Sequence, residues 1–286
     1  MTSIKKSRLL SFIAVGLVYI IATFTGIFTY SAISFSFWIN LLIADVVATL
    51  VTFLFSLIFG NASVYDPYWS VQPPVILFAF AIGKNLDPLG ILLLIAVTFW
   101  GVRLTLNWAY TFGGLTHQDW RYTMLKEKTG PFYPIINLLG IHLVPTMVVY
   151  GCILPAVFAI VYDARVTPVS VAFILLSILA AIVQGIADYQ MHKFRRSGKG
   201  GFIRSGLWKN SRHPNYLGEI VMWWGIALAS VYAMPDRWYL IAGAVANTLL
   251  FIFVSIPMAE KRQSRKEGFA EYKSCTRVLL PIPRVN

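Results

Sequence analysis

The sequence carries little charge for its length. Only 13% of its 286 residues are Asp, Glu, Lys or Arg, whereas soluble proteins carry about 25%. Hydrophobic residues make up 57%, against roughly 45–50% in soluble chains. A water-soluble globule needs a charged surface, which so few charged residues cannot provide. The composition therefore excludes the soluble, fibrous and disordered classes and indicates a polytopic membrane protein.

The sequence also has few cysteines and histidines, the residues that form disulfides or bind metal ions. Its two cysteines, Cys152 in an apolar run and Cys275 near a basic tail, give no disulfide framework. The histidines share no spacing with carboxylates or cysteines that a metal site would require. We therefore predict no metal site at any of the four: His117, His142, His192 and His213.

Long apolar runs, in contrast, are abundant. A membrane-spanning helix needs about 20 mostly apolar residues. The third of the runs is short and contains Pro73 and Pro74, so a re-entrant segment is the alternative there. The candidate spans are about 9–30, 37–60, 71–84, 88–110, 132–161, 168–189, 216–234 and 238–259. We predict an all-α, polytopic integral membrane helical bundle of seven to nine spans, best counted as eight, in a single membrane domain over residues 1–286.

Acidic residues are half as numerous as basic ones, 12 against 24, which gives a net charge of +12. In a membrane protein, an excess of cations marks the cytoplasmic side. With eight spans and the N-terminus inside, 20 of the 24 cations fall in segments 1–8, 111–131, 190–215 and 260–286. We therefore predict cytoplasmic N- and C-termini, in a bacterial inner membrane or the endoplasmic reticulum. Membrane lipid is an expected partner of the basic face, and nucleic acid is not.

The first polar cluster lies at the inner end of the second predicted span. Ionisable groups at this depth are costly unless they are paired, so they are candidates for function. Pro67 disfavours helix at Asp66, which leaves a bend that presents Tyr65, Asp66 and Tyr68 at the membrane boundary. The alternative interpretation is an ordinary polar turn with aromatic residues of the membrane interface.

The second cluster lies within the fourth predicted span. Trp100, Arg103 and Asn107 are spaced to share one helical face. A buried arginine needs an acceptor, and we expect Asp66 to provide it. A purely structural ion pair between Arg103 and Asp66 is the alternative to a catalytic role.

The third cluster is the richest in polar groups. Gln184, Asp188 and Arg195 stand at i, i+4 and i+11, so they share a helix face as it leaves the membrane. A glycine-rich basic loop, 197–208, follows and allows backbone N–H groups to approach an anion. Asn215 and Glu219 are then one turn apart at the start of the next apolar helix.

Further cations follow the last predicted span, where Lys261 and Arg265 are one turn apart. Together with Arg195 and Arg204 they suit phosphate groups, because arginine pairs with phosphate through two hydrogen bonds. Carboxylate and amide side chains suit ribose hydroxyls or the edge of a base. This mixture indicates a nucleotide-bearing cofactor, although each cationic segment alone has the ordinary interpretation of a solvated loop.

Four ordered motifs resemble the steroid 5-alpha-reductase-like membrane superfamily, over about residues 60–281. They are Asp-Pro-Tyr-Trp-Ser at 66–70, Trp-Gly-x-Arg-Leu-x-x-Asn-Trp at 100–108, Asp-Trp-Arg-Tyr at 119–122 and Ser-Arg-His-Pro-Asn-Tyr-Leu-Gly-Glu at 211–219. A Glu-Lys-Arg…Tyr…Pro tail at 260–281 follows the same pattern. The resemblance implies an NADPH-dependent reductase, with substrate in the half 9–110 and cofactor in the half 111–286.

The resemblance also implies roles for individual residues. Hydride would pass from the nicotinamide to the double bond of an enone in a lipid-like or steroid-like substrate, while a proton donor polarises the ketone. The cofactor-binding residues carried over are Gln184, Asp188, Arg195, Asn215 and Glu219, with Arg121, Lys261, Arg265 and Tyr272 less directly matched. Steroid-reducing members have a tyrosine three residues before an arginine, where this chain has Trp100 before Arg103.

This departure moves the predicted proton donor. The oxygen-polarising role falls to Tyr68 or Tyr65 backed by Asp66, so the candidate catalytic residues are Asp66, Tyr68, Tyr65 and Arg103. Two alternatives stay open. One is a membrane methyltransferase of the isoprenylcysteine or phospholipid type, which uses S-adenosylmethionine and also has an Arg-His-Pro-x-Tyr-x-Gly motif. The other is a non-catalytic lipid-binding or scaffold protein. The clustered cations favour NADPH, because S-adenosylmethionine has no phosphate to bind.

Overall fold

The computed structural model describes residues 5–282, and the described chain is helical with no β-strand. Some of the helices include short 3-10 or π segments. The helices are α1 Arg8–Ala32, α2 Phe37–Phe59, α3 Tyr68–Ala81, α4 Pro88–Thr111, α5 Trp120–Val161, α6 Pro168–Arg196, α7 Pro214–Ala233, α8 Pro235–Gln263 and α9 Phe269–Cys275. Residues 1–4 and 283–286, on which the predicted orientation of the termini partly rests, lie outside this range.

Seven of these helices are long and apolar enough to cross a membrane: α1, α2, α4, α5, α6, α7 and α8. Their outer faces carry large apolar side chains. In α1, Phe24 and Phe28 lie one turn apart and are 68% and 74% exposed, while Val18 and Ala22 on another face are buried. Lipid is the solvent that suits such a surface. The all-α polytopic membrane fold is therefore confirmed.

The third predicted span, 71–84, is the short helix α3. It has 14 residues, so at 1.5 Å per residue it is about 21 Å long, less than the hydrocarbon core of about 30 Å. It begins earlier than predicted because the carbonyl of Pro67 accepts the N–H of Val71 at 3.1 Å and starts the helix at the bend. Pro73 and Pro74 lie inside it.

The fifth span is longer than its predicted range, 132–161, because α5 begins at Trp120. The side chain of Asp119 accepts the N–H of Arg121 at 2.8 Å and so caps the start of a polar first stretch that hydropathy does not reveal. Two spans contain π-helical segments, Asn137–Leu143 in α5 and Phe251–Ser255 in α8. Such segments occur often at functional sites.

The chain forms two compact units. The first comprises the described residues up to Val75 and Leu104–Tyr150, and the second comprises Ile76–Arg103 and the described residues from Gly151 onward. In the first unit, one core cluster joins α1 to the segment after α4: Val15, Val18, Val64, Phe112 and Leu115. The predicted single domain with halves 9–110 and 111–286 stays a prediction.

In the second unit, α6 and α7 pack closely along their length. A Cβ atom on Gly225 of α7 would lie 2.1 Å from Oγ of Ser177 on α6. One on Gly218 would lie 2.8 Å from the carbonyl oxygen of Ala180. The two glycines therefore allow the backbones to approach, and this close packing brings the polar residues of both helices together.

Candidate functional site

The centre of the candidate site is the carboxylate of Glu219, one turn into α7. Glu219 is 2% exposed and accepts three hydrogen bonds. Its Oε2 accepts from Nε1 of Trp100 at 2.9 Å and from Nε2 of Gln184 at 2.6 Å. Its Oε1 accepts from Nε1 of Trp223 at 2.9 Å. Three donors from three helices thus compensate the loss of water around this charge.

The two tryptophans form the wall of the site. Trp100 of α4 and Trp223 of α7 are both fully buried, and their rings meet edge to face with centroids 4.8 Å apart. Trp223 lies one turn after Glu219, so its position follows from the sequence spacing. Trp100 reaches the same carboxylate from a helix 119 residues earlier in the chain. The indole of Trp100, at the position where the resemblance implies a tyrosine, therefore donates its N–H to Glu219.

Arg103 extends the network from α4 to α6. Its Nη1 donates to Oδ2 of Asp188 at 3.1 Å, and its Nη2 donates to Oε1 of Gln184. Nδ2 of Asn215 donates to the other oxygen, Oδ1 of Asp188, at 3.2 Å. The ion pair expected between Arg103 and Asp66 was therefore wrong. The arginine faces the helix that carries Gln184 and Asp188, which sequence spacing could not show.

The edge of this network is accessible, unlike its centre. The side chains of Arg103 and Asp188 are each 14% exposed, and Asn215 is also partly exposed. Nε of Arg103 is buried without a hydrogen-bond partner. Arg195, seven residues after Asp188 on the same helix, is exposed. The network therefore has a closed end at Glu219 and an open end where hydrogen-bonding and charged groups could meet a polar ligand.

The predicted basic loop forms an open depression together with the residues after α8. Its volume is 590 Å³, and its lining includes Gly201, Phe202, Arg204, Lys266 and Gly268. Arg204 donates to the carbonyl of Gly268 at 3.2 Å, and Lys266 donates to that of Gly201 at 2.7 Å. Partial burial lowers the pKa of Lys266, and nearby arginines lower it further. The exposed Glu267 also lines the depression, so two cations and one carboxylate surround it.

Of the remaining predicted cofactor residues, which lie in the C-terminal tail, two are exposed and one is buried. Lys261 and Arg265 are exposed at and just beyond the end of α8. Tyr272 is buried in α9, where its hydroxyl donates to the carbonyl of Trp208 and lies 3.4 Å from that of Ser211. Burial raises the pKa of Tyr272 to about 12. This tyrosine therefore joins the tail to the basic loop, and its predicted part in cofactor binding stays a prediction.

An ion cluster around the buried Arg212, which was not predicted from the sequence, fixes the segment before α7. The guanidinium of Arg212 donates to Oε1 of Glu260 at 2.7 Å, and Nζ of Lys273 lies 2.7 Å from Oε2. Backbone N–H groups of Arg212 and His213 donate to the carbonyls of Arg277 and Val278 at 3.0 and 3.1 Å. The tail therefore holds the segment 211–219 in place. An acidic residue at the start of a basic tail, Glu260, was the sequence signal for this ion cluster.

The candidate catalytic residues of the bend lie in the first unit. The hydroxyl of Tyr68 donates to Oδ1 of Asp45 at 3.0 Å, and that of Tyr65 lies 2.7 Å from Oγ1 of Thr146. The carboxylate of Asp66 instead accepts from the hydroxyl of Tyr122 at 2.5 Å. The expectation that the carboxylate of Asp66 supports the hydroxyl of Tyr65 or Tyr68 was therefore wrong.

Asp45 was not predicted as a site residue, although it lies within the second predicted span. A charged residue inside an apolar run was the sequence signal that could have identified it. The guanidinium of Arg121, predicted to bind cofactor, pairs with the helix-capping Asp119 at 2.8 Å, in the first unit. The other carried-over cofactor residues belong to the second unit.

Asp66 supplies a prediction about pH. Burial raises the pKa of Asp66 to about 6, although Arg121 and the hydrogen bond from Tyr122 lower it. A carboxyl group whose folded pKa is raised favours the folded state in its protonated form, so this stabilisation is lost as pH rises from about 4 to about 6. We expect Asp66→Asn to flatten this part of the pH profile, by on the order of 1 kcal/mol given partial exposure. Thermal unfolding of the unaltered protein and of Asp66→Asn between about pH 4 and about pH 6 measures this difference. Equal dependence of stability on pH in the two proteins would contradict the prediction.

Comparison with known proteins gives two matches of different extent. Residues 52–276 match the family described as "Protein of unknown function (DUF1295)". The 3-oxo-5-alpha-steroid 4-dehydrogenase 1 of Macaca fascicularis is 30% identical over 98 residues, which cover 34% of this chain and 34% of that enzyme. The match thus spans about a third of the curated relative's length. No solved structure matches the chain. The resemblance to the steroid 5-alpha-reductase-like superfamily is confirmed.

Proposed function

This chain belongs to the DUF1295 family, and we propose that it is a membrane-embedded, NADPH-dependent reductase acting on the conjugated double bond of a lipid-like or steroid-like enone. One observation carries the proposal. Arg103, Gln184, Asp188 and Glu219 form a continuous hydrogen-bonded network between apolar helices. Such groups are costly within a membrane and mark functional sites. The partial similarity to a steroid 4-dehydrogenase indicates reductase chemistry.

The open end of the network suits a dinucleotide. Asp188 and Asn215 offer a carboxylate and an amide for ribose hydroxyls, and the unpartnered Nε of Arg103 is a further donor beside them. The exposed cations that would hold phosphate groups are Arg195, Arg204, Lys261 and Arg265. NADPH, when bound, supplies the hydride. The closed end has a different task, because Glu219 already accepts three hydrogen bonds and serves to fix Gln184 and both tryptophans.

The substrate carbonyl needs a hydrogen-bond donor as negative charge develops on its oxygen. Trp100 does not suit this role, since its only N–H donates to Glu219 and an indole nitrogen, unlike a hydroxyl oxygen, cannot accept a hydrogen bond in exchange. We assign it to the buried tyrosines of the first unit, Tyr68 and Tyr65. Asp66 and Arg103 then act as supporting residues, each within its own hydrogen-bonded group.

The test is cofactor identity. Purified full-length protein in lipid nanodiscs is expected to bind NADPH at least about tenfold more tightly than NADH, because cations recognise the additional phosphate. Titration followed by nicotinamide fluorescence measures both. Arg204→Gln and Arg265→Gln are expected to weaken NADPH binding and leave NADH binding unchanged.

Arg165→Gln, in an outer loop of the proposed topology, is the matched control and is expected to change neither affinity. Equal affinities for the two nucleotides would contradict the proposal. Saturable binding of S-adenosylmethionine alone would replace it with the methyltransferase alternative.

The same proposal includes an orientation. Nδ2 of Asn61 donates to the carbonyls of Leu115 and His117 at 2.8 and 3.0 Å, so the segment before α3 lies beside the segment after α4. Since α4 has 24 residues and crosses the membrane, α3 and the residues after it must make the other crossing. This supports eight crossings, with both termini cytoplasmic as the cation distribution predicts.

A further inference from the structure

Asp45 is an acidic residue within the membrane-spanning part of α2. Measured along the helix, it lies about 12 Å from Phe37 and about 21 Å from Phe59, at the two ends. It is 4% exposed, and no described Lys, Arg or His forms an ion pair with it. A carboxyl group at this depth is costly, so its retention calls for a role. It precedes residues 52–276, which match the family.

Two neutral side chains of α3 hold the carboxyl group of Asp45. Oδ1 accepts from the hydroxyl of Tyr68 at 3.0 Å, and Oδ2 accepts from Nε2 of Gln72 at 2.7 Å. Tyr68 and Gln72 are one turn apart, so a single face of α3 meets Asp45. The ring of Tyr68 also stacks on that of Tyr65, with centroids 5.3 Å apart. The hydroxyl of Tyr68 is therefore fixed from two sides.

Gln72 adds an observation that points to a ligand. It is 7% exposed, yet its Oε1 has no hydrogen-bond partner. The two ends of an amide are assigned from their surroundings, and exchanging them would leave the N–H₂ group without a partner instead. In either orientation, one polar end of a buried amide is unsatisfied. A buried polar atom of this kind is unfavourable unless another molecule completes it.

We propose that Asp45 and Gln72 are positioning residues of the substrate site, which orient the hydroxyl of Tyr68 so that it binds the carbonyl oxygen of a lipid-like enone. This inference rests on the proposed function. It assigns to Asp45, instead of Asp66, the carboxyl group that orients the hydroxyl of Tyr68. When the carboxyl group carries its proton, it can donate to the oxygen of Tyr68, which frees the hydroxyl hydrogen of Tyr68 for the substrate. The hydrogen bond then stabilises the charge that develops on the carbonyl oxygen.

The probe is a 3-oxo-4-ene steroid, with an acyclic polyprenyl enone as a second probe, added to full-length protein in nanodiscs without cofactor. A hydrogen bond to the carbonyl shifts the ultraviolet absorption of an enone to longer wavelength. We expect this shift with the unaltered protein, and its loss in Tyr68→Phe and Asp45→Leu, which removes the group that donates to the oxygen of Tyr68. Asp163→Leu, at an exposed carboxyl group, is the matched control and is expected to keep the shift. Thermal unfolding establishes that each variant is folded.

Turnover separates a positioning role from a structural one. For Asp45→Leu we expect kcat to fall about 100-fold with little change in KM, because a displaced donor costs rate more than binding. Asp45→Glu is expected to recover part of kcat, while NADPH affinity stays unchanged in both variants. Unaltered protein that shifts neither probe, or a folded Asp45→Leu variant that keeps the shift and kcat, would overturn the inference. If the shift depends on Asp45 but NADPH does not bind, the reductase proposal fails and the carbonyl site stands.

Discussion

Glu219→Gln is expected to lower the free energy of unfolding by about 2–4 kcal/mol and NADPH affinity at least about tenfold. The carboxylate accepts from Trp100, Gln184 and Trp223, and all three donors are buried. An amide replaces one accepting oxygen with a donor, so at least one of these N–H groups faces another donor. The amide of Gln184 would lose its acceptor at position 219, and its hydrogen bond with Arg103 would be disturbed. Denaturation in detergent micelles and nucleotide titration measure the two effects.

The control for this substitution is Glu271→Gln, which removes a carboxylate from an exposed position of α9 in the same unit. It is expected to change stability by less than about 0.5 kcal/mol, as surface substitutions usually do. If Glu219→Gln behaved like this control in both measurements, the closed end of the network would have no role in stability or in binding.

Arg103→Met is expected to destabilise the protein by about 3 kcal/mol, because it leaves the carboxylate of Asp188 without its cation. Asp188→Leu is expected to have a similar cost, since it leaves the guanidinium unpaired. The double variant is expected to be more stable than the sum of the single effects predicts, by about 1–3 kcal/mol, because both charges are removed together. Each single variant is also expected to reduce NADPH binding at least about tenfold.

The chain offers an exposed ion pair for comparison. Nζ of Lys84 lies 4.0 Å from Oδ1 of Asp163, and the side chains are 35% and 67% exposed. The same cycle with Lys84→Met and Asp163→Leu is expected to give a coupling free energy below about 1 kcal/mol. An equally small coupling between Arg103 and Asp188 would mean that water screens the proposed site as it does this outer pair.

Most of the fold could be predicted from composition, because a spanning helix must satisfy its own backbone and therefore appears as a long apolar run. Prediction was weaker where polar residues extend a helix, as at Trp120, or where the helix is short, as in α3. In both places the structure depends on local capping groups. Asp119 starts one of these helices and the carbonyl of Pro67 starts the other, and a hydropathy average does not reveal where a helix begins.

The site was predictable in part for the same physical reason. Gln184 and Asp188 share a face through spacing within one helix, so their proximity follows from the sequence. The partner of Arg103 lies 85 residues away along the chain, and spacing gives no information about which helices meet. The same limit concealed Trp100 as a donor to Glu219, and Asp45 as the partner of Tyr68.

The attachment of the tail to the segment before α7 has a consequence for the order in which the protein matures. Arg212 is buried, but its acceptors are Glu260 and the carbonyl of Thr276, the latter 64 residues later in the chain. When α7 enters the membrane during synthesis, α8 and α9 have not yet folded, so neither acceptor is in place beside Arg212. The buried arginine must stay hydrated until α8 and α9 have followed. Insertion of the helices and completion of the loop beside the proposed cofactor site are therefore separate events, and the second waits for the first.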